Sequence, residues 1–177
     1  MAQLINCPFC NAENMEGSDY CEQCQHSLTE LSHPQPVSAV EKGLLKDRIE
    51  VLRPREPLAV RPDASIGDVL KRMVAERMGC AVVTDEKNKL LGIFTERDAL
   101  MRLNVDAMRM ADKPVSTVIT ENPATLRSRD KIAFALQRMN VGGFRHIPIL
   151  DDRGQLMGVI SVRGILAYLT ERLTAKG

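Results

Sequence analysis

The chain contains no Trp, and only two Tyr and four Phe among its 177 residues. Stacking of bases on aromatic platforms is therefore not expected to be its main binding chemistry. It has no apolar run approaching the length of a membrane span, so no membrane partner is expected. Its opening residues, MAQLINCPFC, lack the basic start and long apolar stretch of a secretory signal, and the expectation is a soluble cytoplasmic protein. An excess of charge of either sign is also missing. With 24 Lys and Arg against 23 Asp and Glu the formal charge is +1, so no overall basic field draws the chain to nucleic acid. A catalytic constellation is equally absent: there is no nucleophile beside a base with an orienting group, no open metal site and no Gly-rich phosphate loop. The chain reads as something other than an enzyme, and its partners have to be argued from sites.

Cysteine is where the sequence becomes specific. Four of the five Cys form two CxxC pairs in CPFCNAENMEGSDYCEQC: Cys7 and Cys10, then Cys21 and Cys24. A reducing cytosol leaves such thiols free of disulfides, and two such knuckles can present four thiolates tetrahedrally, as structural zinc requires with every position filled. About twenty residues cannot bury enough apolar surface to order themselves, so metal binding has to contribute to the folding of this segment. The segment resembles the short zinc ribbons fused to many bacterial and archaeal proteins, with Asn11 and Gln25 standing where such ribbons usually carry Gly after each knuckle. Asn tolerates a left-handed backbone and Gln does so less well, which makes the second knuckle the weaker one. Redox-active CxxC pairs or free thiols are the alternatives, and His26 is a lesser candidate ligand because four Cys already saturate the metal. Residues 1–28 form this ribbon, and 29–45, with Pro34 and Pro36 in LSHPQPVSAV, read as a linker.

From Lys46 onward the chain repeats. A shift of 66 residues aligns Pro57 with Pro123, Arg61 with Arg127, Ile66 with Ile132, Asp85 with Asp151, Gly92 with Gly158 and Arg97 with Arg163, without a gap. Within each copy the apolar spacing predicts strand, helix, strand, strand, helix. Ser65 caps a helix carrying Ile66, Val69, Leu70, Met73 and Val74, and CAVVTD and KLLGIFT are strands around a polar turn. IAFALQRM, RHIPIL, LMGVIS and GILAYLTERL are the counterparts in the second copy. Strands this short are not stable alone, so the two copies must pack together.

The stretches VVTDEKNKLLGIFTERD and HIPILDDRGQLMGVIS, together with the repeat, resemble the CBS domain, whose tandem pairs form the Bateman module. The resemblance implies an α+β fold: a pseudo-twofold pair of β-α-β-β-α units, residues 46–112 and 113–177, behind the ribbon. It also implies a regulatory module that binds an adenosine ligand (AMP, ADP, ATP or S-adenosylmethionine) and acts on a protein target outside this chain. In GIFTERD, the family's Gly-x-x-Thr/Ser-x-x-Asp element, Ile93, Thr95 and Asp98 would meet the nucleoside. An ionised Asp98 offers two acceptor oxygens to a ribose cis-diol, Thr95 and the helix N-terminal amides suit phosphate, and Gly92 would admit close backbone approach. A plain Thr-x-x-Asp capping box is the alternative reading of the same spacing. Arg145, His146 and Arg163 supply positive charge for phosphates in that cleft, unless they are simply solvated surface. The second cleft holds Arg97, Ser161 and Gly164, with no carboxylate for a diol, and is expected to be weak. Cys80, aligned with His146, reads as a small buried residue rather than a nucleophile. Apolar helix faces in LKRMVAERM and AFALQRM, with Met73 and Met139, suggest a homodimer. The runner-up reading is a nucleic-acid-binding regulator, with Lys42, Lys46, Arg48, Arg53 and Arg55 beside the ribbon and the ribbon's own Glu13, Glu16, Asp19 and Glu22 against it.

Overall fold

The structure, a computed structural model, describes residues 4–28 and 39–174, apart from the side chains of residues 39–42 and 104. In chain order these form β1 (Leu4–Asn6), β2 (Glu13–Met15) and α1 (Ala39–Lys46). The first repeat adds β3 (Ala59–Val60), α2 (Ile66–Ala75), β4 (Cys80–Thr84), β5 (Leu90–Thr95), α3 (Glu96–Asp98) and α4 (Ala107–Met110). The second adds β6 (Thr120–Glu121), β7 (Leu126–Arg127), α5 (Ile132–Gly142), β8 (His146–Leu150), β9 (Leu156–Ser161) and α6 (Val162–Thr174). The span expected as a linker, 29–45, differs in its second half: residues from Ala39 are helical in α1, whose Leu, Lys, Glu and Ala are good helix formers. Its first half, residues 29–38, lies outside the described residues.

The chain divides into two compact units that cut across the repeats. One comprises Arg53–Ser128 and His146–Ser161, the other Met1–Leu52, Arg129–Arg145 and Val162–Gly177.

The first unit is built on two sheets, ordered β3-β4-β5-β6 and β7-β8-β9. The repeat is visible in their hydrogen bonds. β4 and β5 pair antiparallel with a register shift at Val83/Thr84, and β8 and β9 pair likewise with the shift at Ile149/Leu150. Both turns are closed the same way, with Asp85 Oδ1 accepting from the N–H of Lys87 and Lys89, and Asp151 Oδ1 from Arg153 and Gln155. The predicted amphipathic face of α2 is the buried one: Ile66, Val69 and Met73 pack with Leu58, Ala81, Val83, Phe94 and Val115. Ser65 Oγ accepts from Asp68 N–H at 3.1 Å, the expected cap. A second cluster joins the repeats, with Cys80, Val82 and Ile93 of the first against Leu156 and Val159 of the second.

Segments leading into each repeat pair with the other repeat. β6 lies antiparallel on β5, and Arg55 exchanges N–H···O bonds of 3.1 and 3.0 Å with Val159 of β9. These approaches are why Gly92 and Gly158 recur. A Cβ on Gly92 would sit 2.9 Å from Thr120 O, and one on Gly158 would sit 2.8 Å from Pro54 Cβ. The close approach anticipated at Gly92 is thus made by the protein's own backbone.

In the other unit α1 packs with α5 and α6. Ile132 N–H donates to Asp47 O at 3.0 Å and Ile49 N–H to Asp130 O at 2.8 Å. The Asp47 carboxylate accepts from Tyr168 OH at 2.6 Å and pairs with Arg172, whose guanidinium lies over the Tyr168 ring at 5.1 Å. Burial, reinforced by the hydrogen bond to Asp47, pushes the Tyr168 phenol up to about 12. The β1–β2 hairpin, paired Leu4 to Met15, belongs to this unit and carries the cysteine segment.

Met73 and Met139, expected on an exposed rim, are core residues, only 4% and 6% exposed. They fall on the same helical stripe as Ile66 and Val69, or Ile132 and Ala135, so they fill the interior. The most exposed apolar side chains of the first repeat are instead Val74, Leu100, Met101, Val105 and Met108, all at least 73% exposed.

Candidate functional site

The cysteine segment is two copies of one turn, 14 residues apart. Cys7 N–H donates to Ala12 O and Cys21 N–H to His26 O, each at 2.8 Å, while Asn11 and Gln25 N–H return to Cys7 O and Cys21 O at 2.8 and 2.9 Å. Closing such turns takes a left-handed residue, and Asn11 and Gln25 have φ of 63° and 58°. Both positions flagged as Gly substitutes therefore adopt the conformation Gly would. Cys7 Sγ lies 3.6 Å from Cys24 Sγ, and Cys10 Sγ lies 3.5 Å from Cys21 Sγ, with all four sulfurs within 4.8 Å of one another. A tetrahedron with metal–sulfur bonds of about 2.3 Å has edges of about 3.8 Å, so four thiolates so placed fit one tetrahedral ion.

Backbone amides are also aimed at the sulfurs. Phe9 N–H donates to Cys7 Sγ at 3.4 Å, and Cys21 Sγ accepts from Cys24 and Gln23. Burial acts to raise Cys21, but these donors outweigh it and hold the thiol at about 6, whereas burial pushes Cys24 up to about 12. Among the described residues these four Cys are the group that can hold a metal ion. His26 is not in it: its ring stacks on Phe9 at 5.5 Å, and its Nε2 accepts from the Gln137 amide at 2.9 Å.

The element expected to meet a nucleoside begins where β5 ends. Thr95 is the N-cap of α3, in extended conformation (φ −120°, ψ 163°). Its Oγ1 accepts from Asp98 N–H at 3.2 Å, and Asp98 Oδ2 accepts from Thr95 N–H at 3.0 Å and from the Thr95 hydroxyl at 2.6 Å. The capping box is therefore formed. Asp98 Oδ1 faces Arg102 Nε at 3.2 Å. Each carboxylate oxygen takes about two hydrogen bonds, so Oδ2 is full and Oδ1 keeps about one place. Holding both ribose hydroxyls requires the Thr95 hydroxyl to turn away, which also frees it for phosphate.

Arg102 was not anticipated. Besides Asp98 it donates to Val118 O, Ile119 O and Thr120 Oγ1 at 2.9, 2.7 and 3.1 Å, tying the carboxylate to the chain that leads into the second repeat. The i, i+4 spacing from Asp98 was the available signal.

His146 opens β8, opposite Ser161. Its imidazole lies against Gly79: a Cβ there would sit 2.8 Å from His146 Nε2 and 3.4 Å from the Glu96 carboxylate carbon. Gly79 O accepts from Glu96 N–H at 3.1 Å, so His146 reaches the first turn of α3, beside Thr95. Cys80, paired with Thr95, is buried, and burial followed by the charge of Glu96 pushes its thiol up to about 12, which suits a core residue rather than a nucleophile. Ile93 has its side chain in the cluster with Cys80 and Val159 and its backbone paired on both sides. Arg97 is exposed on α3. Arg145 and Arg163, both exposed, belong to the other compact unit, where Val162 N–H donates to Arg145 O at 3.0 Å. That bond is the counterpart of Glu96 to Gly79, shifted by 66 residues.

The CBS domain pattern matches residues 49–105 and 115–171, and the chain belongs to the CBS domain family. It is 32% identical over 112 residues to an uncharacterised 17.7 kDa protein of Acidianus ambivalens, covering 63% of this chain and 66% of that one. It spans about a fifth to a quarter of longer curated CBS relatives. A CBS-domain containing protein of Agrobacterium tumefaciens superposes with a TM-score of 0.64 at 30% identity, over 68% of this chain and 98% of its own. A CBS domain protein of Pyrobaculum aerophilum, solved complexed with AMP, superposes with a TM-score of 0.61 at 28% identity, over 70% and 98%.

Proposed function

We propose that this protein is an adenosine-nucleotide sensor: a CBS pair that binds AMP, ADP, ATP or S-adenosylmethionine at the Thr95–Asp98 element and regulates a protein target. The observation that carries the reading is the Thr95 hydroxyl and Asp98 carboxylate at the start of α3 with His146 beside them, in a chain whose P. aerophilum relative is complexed with AMP. Asp98 holds the ribose, Thr95 and His146 face the phosphate end, and Arg145 and Arg163 add positive charge for phosphate. At the counterpart position Gly164 has no carboxylate, and losing two charge-assisted bonds costs roughly 3 kcal/mol, about a hundredfold in affinity. One site should dominate. Titration calorimetry with the four ligands should give one strong site per chain, abolished in Asp98→Ala and unchanged in Ser161→Ala. Two equal sites, or full binding in Asp98→Ala, would overturn the assignment.

The metal we assign to Cys7, Cys10, Cys21 and Cys24 is one structural zinc ion, because four thiolates in a closed tetrahedron leave no open position for catalysis. We do not favour a nucleic-acid role for the ribbon, because residues 1–28 contain no Lys or Arg and four acidic side chains. The working state is a homodimer, formed through the exposed Leu100, Met101, Val105 and Met108.

A further inference from the structure

The ribbon has its own small core, Ile5, Cys7, Cys10, Ala12, Cys21, Cys24 and Leu28, to which no residue of α5 contributes. Yet it is joined to α5 within one compact unit. Two polar contacts cross the junction, one from each knuckle. Phe9 O, between Cys7 and Cys10, accepts from Arg138 Nη2 at 3.2 Å, and His26, directly after the second knuckle, accepts from the Gln137 amide at 2.9 Å. The Phe9 and His26 rings stack on each other at 5.5 Å and 16°, so the two groups are presented together. Beside them lies a cleft of roughly 830 Å³, lined by Ile5, Pro8, Leu45, Lys131 and Phe134 among others. A junction of this kind can open without exposing a core.

We propose that metal occupancy of the ribbon is a second input to this CBS pair, delivered to α5 through the Phe9 carbonyl and the His26 ring. The knuckles hold Phe9 O and His26 in register only while four thiolates share one ion. Without it, neither turn has an apolar core large enough to fix it. Loss of the ion therefore releases Gln137 and Arg138 together. α5 ends at Gly142 and runs on to Arg145, whose carbonyl receives Val162 N–H at the start of α6, the helix that carries Arg163. The ribbon thus shares its unit with both arginines proposed for phosphate; the whole inference rests on the metal assignment, and its nucleotide arm rests also on the nucleotide reading. The chemical class of the input is a thiophilic divalent cation.

The test uses the full chain. Metal content is measured first, then amide hydrogen exchange of residues 132–145 with one equivalent of ZnCl2 and after removal of the ion by a chelator. Exchange in α5 should speed up about tenfold on removal, and AMP affinity should fall by a similar factor, a typical coupling between two sites. The Gln137→Ala/Arg138→Ala double variant should keep its full metal content but show fast α5 exchange and weakened AMP binding that chelation no longer changes. Unchanged α5 exchange on metal removal, or a double variant that still responds to chelation, would overturn the proposal. Failure of the metal-loaded wild type to bind AMP would sink the nucleotide reading instead and leave the exchange result to decide the coupling.

Discussion

Asp98 closes the capping box with Thr95, and the same carboxylate is the ribose ligand proposed above. Substituting it separates the two roles. Asp98→Ala should lower stability by about 1 kcal/mol through the lost cap and abolish AMP binding, read as a urea midpoint and by calorimetry on the same preparation. Arg102→Ala leaves the box intact but removes the cation beside Oδ1 and three hydrogen bonds to residues 118–120, so it should change nucleotide affinity and also lower stability by about 1–3 kcal/mol. Gly92 is a different kind of residue. A methyl group placed 2.9 Å from Thr120 O and 2.6 Å from Ile119 Cδ1 must push β6 off β5, and Gly92→Ala should cost about 1–3 kcal/mol in chemical denaturation.

At the scale of elements, the repeats diverge most after their third strand. The second repeat runs from β9 into the single long helix α6, whereas the first breaks into α3, a π-helical turn over Ala99–Leu103, a 3-10 turn over Asn104–Asp106 and α4. Asn104, Val105 and Asp106 are poor helix formers, and Arg102 in that turn is pulled to the carbonyls of Val118 and Ile119. In the helical unit Asp47 holds α6 through Tyr168 and Arg172. Because the folded chain holds the Tyr168 phenol at about 12 against an ordinary 10, the fold favours its neutral form. The stability this supplies is complete below pH 10 and is lost as the pH rises from 10 to about 12. Thermal melts across that window should show a steeper decline in the wild type than in Tyr168→Phe. The ribbon supplies a sharper test. Elemental analysis should find one zinc per chain, and Cys21→Ser should lose it, with the exchange protection of residues 4–28 lost as well.

For the molecule as a whole, the two repeats cannot be separated, because each leading segment pairs with a strand of the other repeat: β6 with β5, and Arg55 with Val159 of β9. A chain cut near residue 112 should give two fragments that do not fold alone, judged by dispersed amide resonances, and that recover when mixed. Leu100, Met101, Val105 and Met108 are all exposed, and the homodimer proposed above is formed through them. Light scattering should find a homodimer, and Met101→Asp with Val105→Asp should make it monomeric while AMP binding persists. No helix among the described residues is long and apolar enough to cross a membrane.

Much of this was legible in the residues. Strict 66-residue spacing fixed the order of strands and helices, because apolar side chains two or about 3.6 positions apart can be buried only as strand or helix. Asp85 and Asp151 marked the turns, Ser65 the cap, and the CxxC pairs the four-sulfur cluster, since each of these is local chemistry within a few residues. What the sequence could not supply was anything decided by groups distant along the chain. Met73 and Met139 are indistinguishable from rim residues until the partners packed over them are known. Gly92 could have faced a ligand or a backbone, and only the placement of Thr120 shows that it faces backbone. Both readings of Thr95 and Asp98 share one spacing, and the folded chain shows the box closed with Arg102 on the outer oxygen. The docking of His26 on Gln137 spans 111 residues of sequence, and no periodicity or motif records a contact that arises only when two independently patterned segments are packed side by side.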